Sequence, residues 1–441
     1  MTAALQRLYA LGRGNALKAQ LVRGALGVGG LKLLSLPLTL VASVLLARGL
    51  GPESYGQYSF VMAVLSLLVL PVGPGLGQLV TREVAKFHHG EEWGLFRGLL
   101  KRAHQWVILG SILLMVIIAM LAARNASWVV NDHWTLLFLA SPLLPLLGLN
   151  ALRTSILRGL RKIIFAQIPE LLVRPSLHLV IVSGLLLTGL LNPATALASQ
   201  VVVTTLSLAL GLWLFFRCRP RQIADAKPVY LNGEWGGALL PFTFLAIVST
   251  FNAQIGILVL GWLGSDTEVG AFRVAQNGAM FVSLSLTIVN MVLGPHITRA
   301  NRDKDISRLQ HLSRQSARAA LVAALPVAIP LIFFGEPIIN LIFGEDYTDV
   351  AVWPLAILAV GQLVNVAFGS VGLFLTMTGY ERDTLLGHVT ALVATVLAAV
   401  TLTPPFGAVG AALAVTIGLV TWNAVLAIRF IQRMGFRPSA L

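Results

Sequence analysis

Arg48-Gly-Leu-Gly-Pro-Glu-Ser-Tyr-Gly-Gln-Tyr58 is a short polar turn set between two long apolar runs, and Leu263-Gly-Ser-Asp-Thr-Glu-Val-Gly-Ala-Phe-Arg273 repeats its plan later in the chain. Gly56-Gln-Tyr58 corresponds to Gly270-Ala-Phe272, and each copy leads into a new apolar run. Two related halves follow from that repeat.

Composition says where the halves reside. Only 11% of the 441 residues are charged and 56% are hydrophobic, whereas soluble chains carry about a quarter charged; mean hydropathy is +0.82. Apolar stretches of about twenty residues, enough for a helix to cross roughly 30 Å of hydrocarbon, recur and leave no room for a soluble domain. Spans are expected at 26–47, 58–80, 105–123, 134–152, 170–190, 195–216, 239–263, 271–293, 319–335, 351–376, 385–403 and 407–430. Residues 336–350 read as a short interfacial piece. The expected fold is an all-α integral membrane protein with about twelve transmembrane helices in two six-helix lobes, 26–216 and 239–430. Because both copies of the turn fall on one side, the lobes are related by a pseudo-two-fold along the membrane normal. A basic segment 1–25, a linker 217–238 and a tail 431–441 complete the chain.

Lys and Arg load alternate connections: Arg7, Arg13, Lys18 and Arg23; Arg82 to Arg102; Arg153 to Lys162; Arg217 to Lys227; Arg299 to Arg318; Arg382; and Arg429 to Arg437. The intervening loops hold only Arg48 and Arg124. Basic loops stay on the cytoplasmic side during insertion, so both termini are expected in the cytoplasm. The formal charge of +14 therefore sets orientation and meets anionic headgroups rather than nucleic acid. The longest basic links, near 81–104, 153–169, 217–238 and 295–318, are expected as amphipathic helices on the inner leaflet. No cleavable signal peptide is evident, because the first apolar run is long enough to span. The single cysteine, Cys218, excludes internal disulfides, and Asn125-Ala-Ser127 is a formal sequon.

The pattern A-R-x-L-G-P-E-x-Y-G-x-Y at 47–58, with Leu260-Gly-Trp-Leu-Gly264 and Glu268-Val-Gly-Ala-Phe-Arg-Val-Ala275, resembles the polysaccharide transporter family. Its members are bacterial flippases for lipid-linked oligosaccharides within the multidrug/oligosaccharidyl-lipid/polysaccharide exporter superfamily. Thr81-Arg-Glu83, Leu157-Arg-Gly159, Phe343-Gly344 with Tyr347, and Met377-Thr-Gly379 extend the resemblance over nearly the whole chain. It implies a multi-pass protein of the bacterial cytoplasmic (inner) membrane, a polyprenyl-pyrophosphate-linked glycan as substrate, and membrane lipids, a polysaccharide polymerase and glycosyltransferases as partners. No cofactor, metal or enzymatic activity is implied. Many relatives carry an acid five positions before the glycine matching Gly261; here that position is Gly256.

An ionisable group inside hydrocarbon costs about 2.5–3.5 kcal/mol on insertion scales, which makes those present functional candidates. They are mostly cations: Lys32, Arg174 and Arg273, with Glu170 and His178 nearby. A lipid pyrophosphate needs neutralisation on its way across, and the planar fork of Arg suits phosphate oxygens. Lys32 either faces a cavity or snorkels to the interface; Arg273 either faces a cavity or reaches headgroups. Arg273, Gln276 and Asn277 share a helical face. Glu170, Arg174 and His178 are spaced four apart, with Glu before Arg in the favourable order. They read first as a self-neutralising pair beside a packing histidine, and Arg174 is also a candidate headgroup contact.

Pro71, Gly73, Pro74, Gly75 and Gly77 make the second span a candidate hinge, with Gln78 exposed to a lumen. Asn252, Gln254, Gln362 and Asn365 are uncharged polar groups in apolar surroundings. Interhelical hydrogen bonds account for each singly, and cavity lining for the set. No dinucleotide fingerprint, metal-ligand spacing or nucleophile elbow is present. Ion-coupled export of drugs or metabolites would need carboxylates deep in the membrane, and interfacial Glu170 is the nearest to one. A membrane glycosyltransferase would need an acidic pair or a large outer loop. A non-transporting scaffold of an assembly complex would look the same on its surface.

Overall fold

The computed structural model describes residues 17–124 and 133–437. Arg7, Arg13 and the sequon at Asn125 lie outside the described residues, whose regular secondary structure is all helix, with no strand. The principal helices are α1 (Leu17–Leu68), α2 (Pro74–His89), α3 (Trp93–Arg124), α4 (His133–Ala140), α5 (Leu143–Gly159), α6 (Ile163–Leu187) and α7 (Pro193–Cys218). They continue with α8 (Asn232–Leu263), α9 (Asp266–Arg302), α10 (Ile306–Phe333), α11 (Gly335–Phe343), α12 (Thr348–Phe368), α13 (Val371–Met377) and α14 (Glu381–Met434). Nine helices among the described residues are long and apolar enough to cross a membrane, and α4 with α5, bent by 42°, make a tenth candidate. The chain is a multi-pass, all-α membrane protein.

Two helices are double-length. α1 and α14 each run through one glycine whose backbone leaves the helix, Gly51 (φ 73, ψ 171) and Gly407 (φ 53, ψ −130). A positive φ is open to glycine at little cost. Pro52 then occupies the first turn of the new helical arm, where a missing N–H is harmless, and Glu53 complements its positive end. The turn at 48–58 is thus one kinked residue inside a helix, tighter than the sequence suggests.

The basic links also differ from expectation. α9 carries its helix through to Arg302, and α10 begins at Ile306 with Asp305 capping it through the Arg308 amide (2.9 Å). Residues 295–318 therefore extend the apolar helices instead of forming a separate amphipathic one: α9 continues through Pro295, and the helix is interrupted only at Asp303–Asp305. α2 likewise runs on to His89. Part of the 217–238 link docks on α3: Arg97 donates to the Ala224 and Ala226 carbonyls (2.6 and 2.8 Å), and the Val229 amide donates to the Gly94 carbonyl (3.0 Å).

The chain divides into two compact units, residues 1–45 with 68–246, and residues 46–67 with 247–441. The first is packed around Phe87, Phe96, Leu99, Val107, Leu157 and Trp235. In the second, Phe430 meets Phe374 (5.8 Å, 87°) and Phe436 (5.1 Å, 88°) edge to face. Small residues permit the closest helix approaches, as expected where lipid removes the hydrophobic drive between helices. Gly75 faces the Thr243 backbone in the first unit, and Gly361 faces Thr416 in the second.

The second unit gathers residues that the sequence motifs scatter. Arg48 donates to the Ile342 carbonyl (2.8 Å) and to that of Leu341, meeting the last, negatively polarised turn of α11. Tyr347 donates to the Ala47 carbonyl (2.7 Å). Ser265 and Glu268 form a capping box at the start of α9. These motif residues fix the ends of helices.

Candidate functional site

Each unit contains a polar cavity among apolar helices. In the second unit it has a volume of about 490 Å3, and α8, α9, α12 and α14 line it. Arg273, Gln276 and Asn277 enter from one face of α9 because they are three and four residues apart. The Arg273 guanidinium donates to Gln276 Oε1 (3.0 Å), and Gln276 Nε2 donates to the Ala253 carbonyl (3.2 Å). Gln276 is a neutral partner, so no ion pair among the described residues cancels the positive charge of Arg273. Asn277 donates to the Tyr55 hydroxyl (3.3 Å).

From α8, Asn252 and Gln254 line the same cavity, with Gln362 from α12. Asn252 Nδ2 is shared between the Val248 and His388 carbonyls, both at 3.0 Å, and so ties α8 to α14. Gln254 Oε1 is buried with no hydrogen-bond partner. Opposite, His388 and Trp422 stack with ring centres 5.4 Å apart at 28°. Neither is marked in the sequence, because a lone histidine and a lone tryptophan 34 positions away carry no shared spacing; the fold of α14 on itself joins them.

The first unit holds a smaller cavity of about 270 Å3, lined by Ser35 and Thr39 of α1, Glu170, Arg174 and His178 of α6, and Gln200 of α7. Pro169–Val173 forms a π-helical turn in α6, a local widening often found at functional sites. Arg174 and Glu170 are 3.3 Å apart, each side chain about a quarter exposed. Gln200 links the group, meeting Arg174 at 3.5 Å and His178 Nε2 at 3.1 Å. Lys32 is half-buried one turn before Ser35, on the helical face that Ser35 and Thr39 share, and its carbonyl accepts from the Ser35 hydroxyl (2.8 Å). Arg153 is buried at 2% exposure in α5, and its Nε and Nη1 have no hydrogen-bond partner. The sequence placed it in a basic loop, and the continuation of α5 to Gly159 brings it inside.

Other candidates lie elsewhere. Asn365 accepts from Asn423 (3.0 Å) in a buried link between α12 and α14, and does not line the 490 Å3 cavity. Gln78 is exposed on α2. The second span is interrupted at Val69–Gly73: a tight turn covers Leu70–Val72, Gly73 sits at φ −126, ψ −92, and Pro74 restarts the helix. Gly75 and Gly77 lie beyond the break within α2, where Thr243 and Ser155 leave no room for a Cβ. At Gly256, a Cβ would lie 2.5 Å from the Phe272 ring. The space a carboxylate would need there is occupied.

The sequence profile of the polysaccharide biosynthesis proteins matches residues 45–352. The chain belongs to that family. No curated protein matches it in sequence. Among solved structures, an inward-facing multidrug resistance MATE family transporter of the MOP superfamily superposes with a TM-score of 0.74 at 15% identity, over 91% of this chain and 94% of that one. The lipid II flippase MurJ in an inward closed conformation gives 0.71 at 14% identity, over 92% and 89%. A MOP superfamily transporter from Pyrococcus furiosus, described by the reverse polarity of its binding pocket, gives 0.64 at 17% over 96% and 97%. This member of the polysaccharide biosynthesis proteins therefore has the MOP superfamily transporter fold.

Proposed function

We propose that the protein is a flippase moving polyprenyl-pyrophosphate-linked oligosaccharide repeat units from the inner to the outer leaflet of the bacterial cytoplasmic membrane by alternating access. The reading includes about twelve spans in two lobes with cytoplasmic termini, with a polysaccharide polymerase and glycosyltransferases as partners. The observation that carries it is Arg273, a cation without an ion-pair partner among the described residues, in a polar cavity of a polysaccharide biosynthesis family member. The charge attracts a pyrophosphate, the neutral amides around it tolerate sugars, and the lipid tail can remain in the bilayer. Arg174 and Lys32 are secondary contacts, and the break at Val69–Gly73 is a candidate hinge.

An ion-coupled drug exporter is less well supported. Among the described residues lining the two cavities, the one carboxylate is Glu170, already beside Arg174. The direct test is deletion of the gene followed by lipid extraction and leaflet labelling. Sugar-loaded carrier should accumulate facing the cytoplasm, Arg273→Ala should fail to restore export despite normal insertion, and an unchanged leaflet distribution would overturn the reading.

A further inference from the structure

The 490 Å3 cavity holds more than a cation. We infer that the Trp422–His388 stack and Gln254 form a saccharide subsite beside Arg273, taking a sugar ring of the glycan headgroup; this deepens the flippase reading and rests on it.

The cavity lining carries unused bonding capacity. Asn252 spends its amide N–H groups on two carbonyls, and Gln276 is engaged by Arg273 and by the Ala253 carbonyl. Two lining residues have polar atoms left over: Gln254 Oε1, an acceptor, and Trp422 Nε1, a donor, each buried with no partner. A buried orphan of this kind is costly, and native structures rarely retain one without a reason. A hydroxyl both donates and accepts, so a polyhydroxylated ring satisfies an orphan acceptor and an orphan donor with one kind of group. A fully deprotonated anion could not, since it has no hydrogen to give Gln254 Oε1.

The aromatic pair supplies the second half. Trp422 is pinned by its stack on His388 and by Gly387, where a Cβ would lie 3.1 Å from the indole Cδ1. A fixed indole offers an apolar face to the C–H side of a pyranose, while the ring's hydroxyls point to amides at its edge. Size agrees: cavities of about 300–1,000 Å3 enclose small organic ligands, and this one has room for a sugar beside a phosphate. Arg273 in the same cavity places the anionic and the polyhydroxylated parts of one headgroup side by side.

The test uses purified full-length protein in lipid nanodiscs and native mass spectrometry. The probes are geranylgeranyl diphosphate, bare or bearing glucose, galactose, N-acetylglucosamine or N-acetylgalactosamine. At least one glycosylated probe should bind about tenfold more tightly than the bare one, a difference of about 1.4 kcal/mol. Trp422→Leu and Gln254→Leu should each bring that ratio close to one. Trp353→Leu, at a residue 68% exposed and outside the cavity, should keep it. Melting curves identify a variant that fails to fold, and the other then decides. A wild-type ratio near one for every sugar, or a ratio that survives in both variants, overturns the subsite. If bare diphosphate still binds through Arg273 in that case, the flippase reading stands; if no diphosphate probe binds, both fall.

Discussion

Gly56 and Gly270 face each other backbone to backbone, and each lies against the carbonyl of the residue four positions before the other. A Cβ on Gly56 would fall on the Asp266 carbonyl and 3.1 Å from the Gly270 nitrogen, while a Cβ on Gly270 would fall on the Pro52 carbonyl and 3.2 Å from the Gly56 nitrogen. The two copies of the repeated turn thus cross as near-symmetric partners. The glycines of the repeated turn stand where each copy needs the other to lack a side chain.

Gly56→Ala and Gly270→Ala should each destabilise the folded protein by about 1–3 kcal/mol, the range for forcing a methyl group into filled space. The double variant should lose less than the sum, because the first substitution already separates the helices that the second would clash with. Denaturant titration in detergent micelles measures both. Full additivity would mean that the two glycines are not one contact.

Tyr347→Phe should cost about 1–3 kcal/mol, since it leaves the Ala47 carbonyl without its hydroxyl donor in a buried position. Arg48→Ala should cost less, about 1 kcal/mol or under, because Arg48 is exposed and water can replace it at the Leu341 and Ile342 carbonyls. Equal losses in the same titration would contradict this ordering.

Asn365 and Asn423 should couple by about 0.6 kcal/mol in a double-mutant cycle, the average for side-chain hydrogen bonds between membrane helices. Glycolipid export should persist in Asn365→Ala, because the residue lies outside the 490 Å3 cavity. Loss of export with unchanged folding would return Asn365 to the transport path.

Helix identity was legible because a twenty-residue apolar run has one stable form in lipid. The face shared by Arg273, Gln276 and Asn277 was legible because three and four residues make a turn. What escaped the sequence was long-range. Arg153 reads as a loop cation until α5 is seen to continue past it. Trp422 and His388 meet across the break at Gly407; the break itself falls where two spans are expected to part, at 403–407, but the sequence does not mark which residues of the two arms it brings together. Gly75 and Gly77 read as flexible because the sequence does not name the neighbours, Thr243 and Ser155, that make them packing sites.

The two cavities differ in how their cations are balanced. In the first unit, Glu170 sits 3.3 Å from Arg174, so their charges largely cancel; in the second unit, Arg273 has only Gln276. Glu170→Gln keeps the shape of the first cavity and removes the cancelling charge, leaving Arg174 available to an anion. A diphosphate headgroup should then bind more tightly, by about tenfold for a gain of roughly 1.4 kcal/mol, and leave more slowly, so turnover falls while affinity rises. An ion-coupled exporter would behave differently: losing its one cavity carboxylate should abolish proton- or cation-driven exchange without tightening anion binding. Binding and flipping measured together on Glu170→Gln in proteoliposomes distinguish the outcomes, because only an electrostatic trap moves affinity and rate in opposite directions.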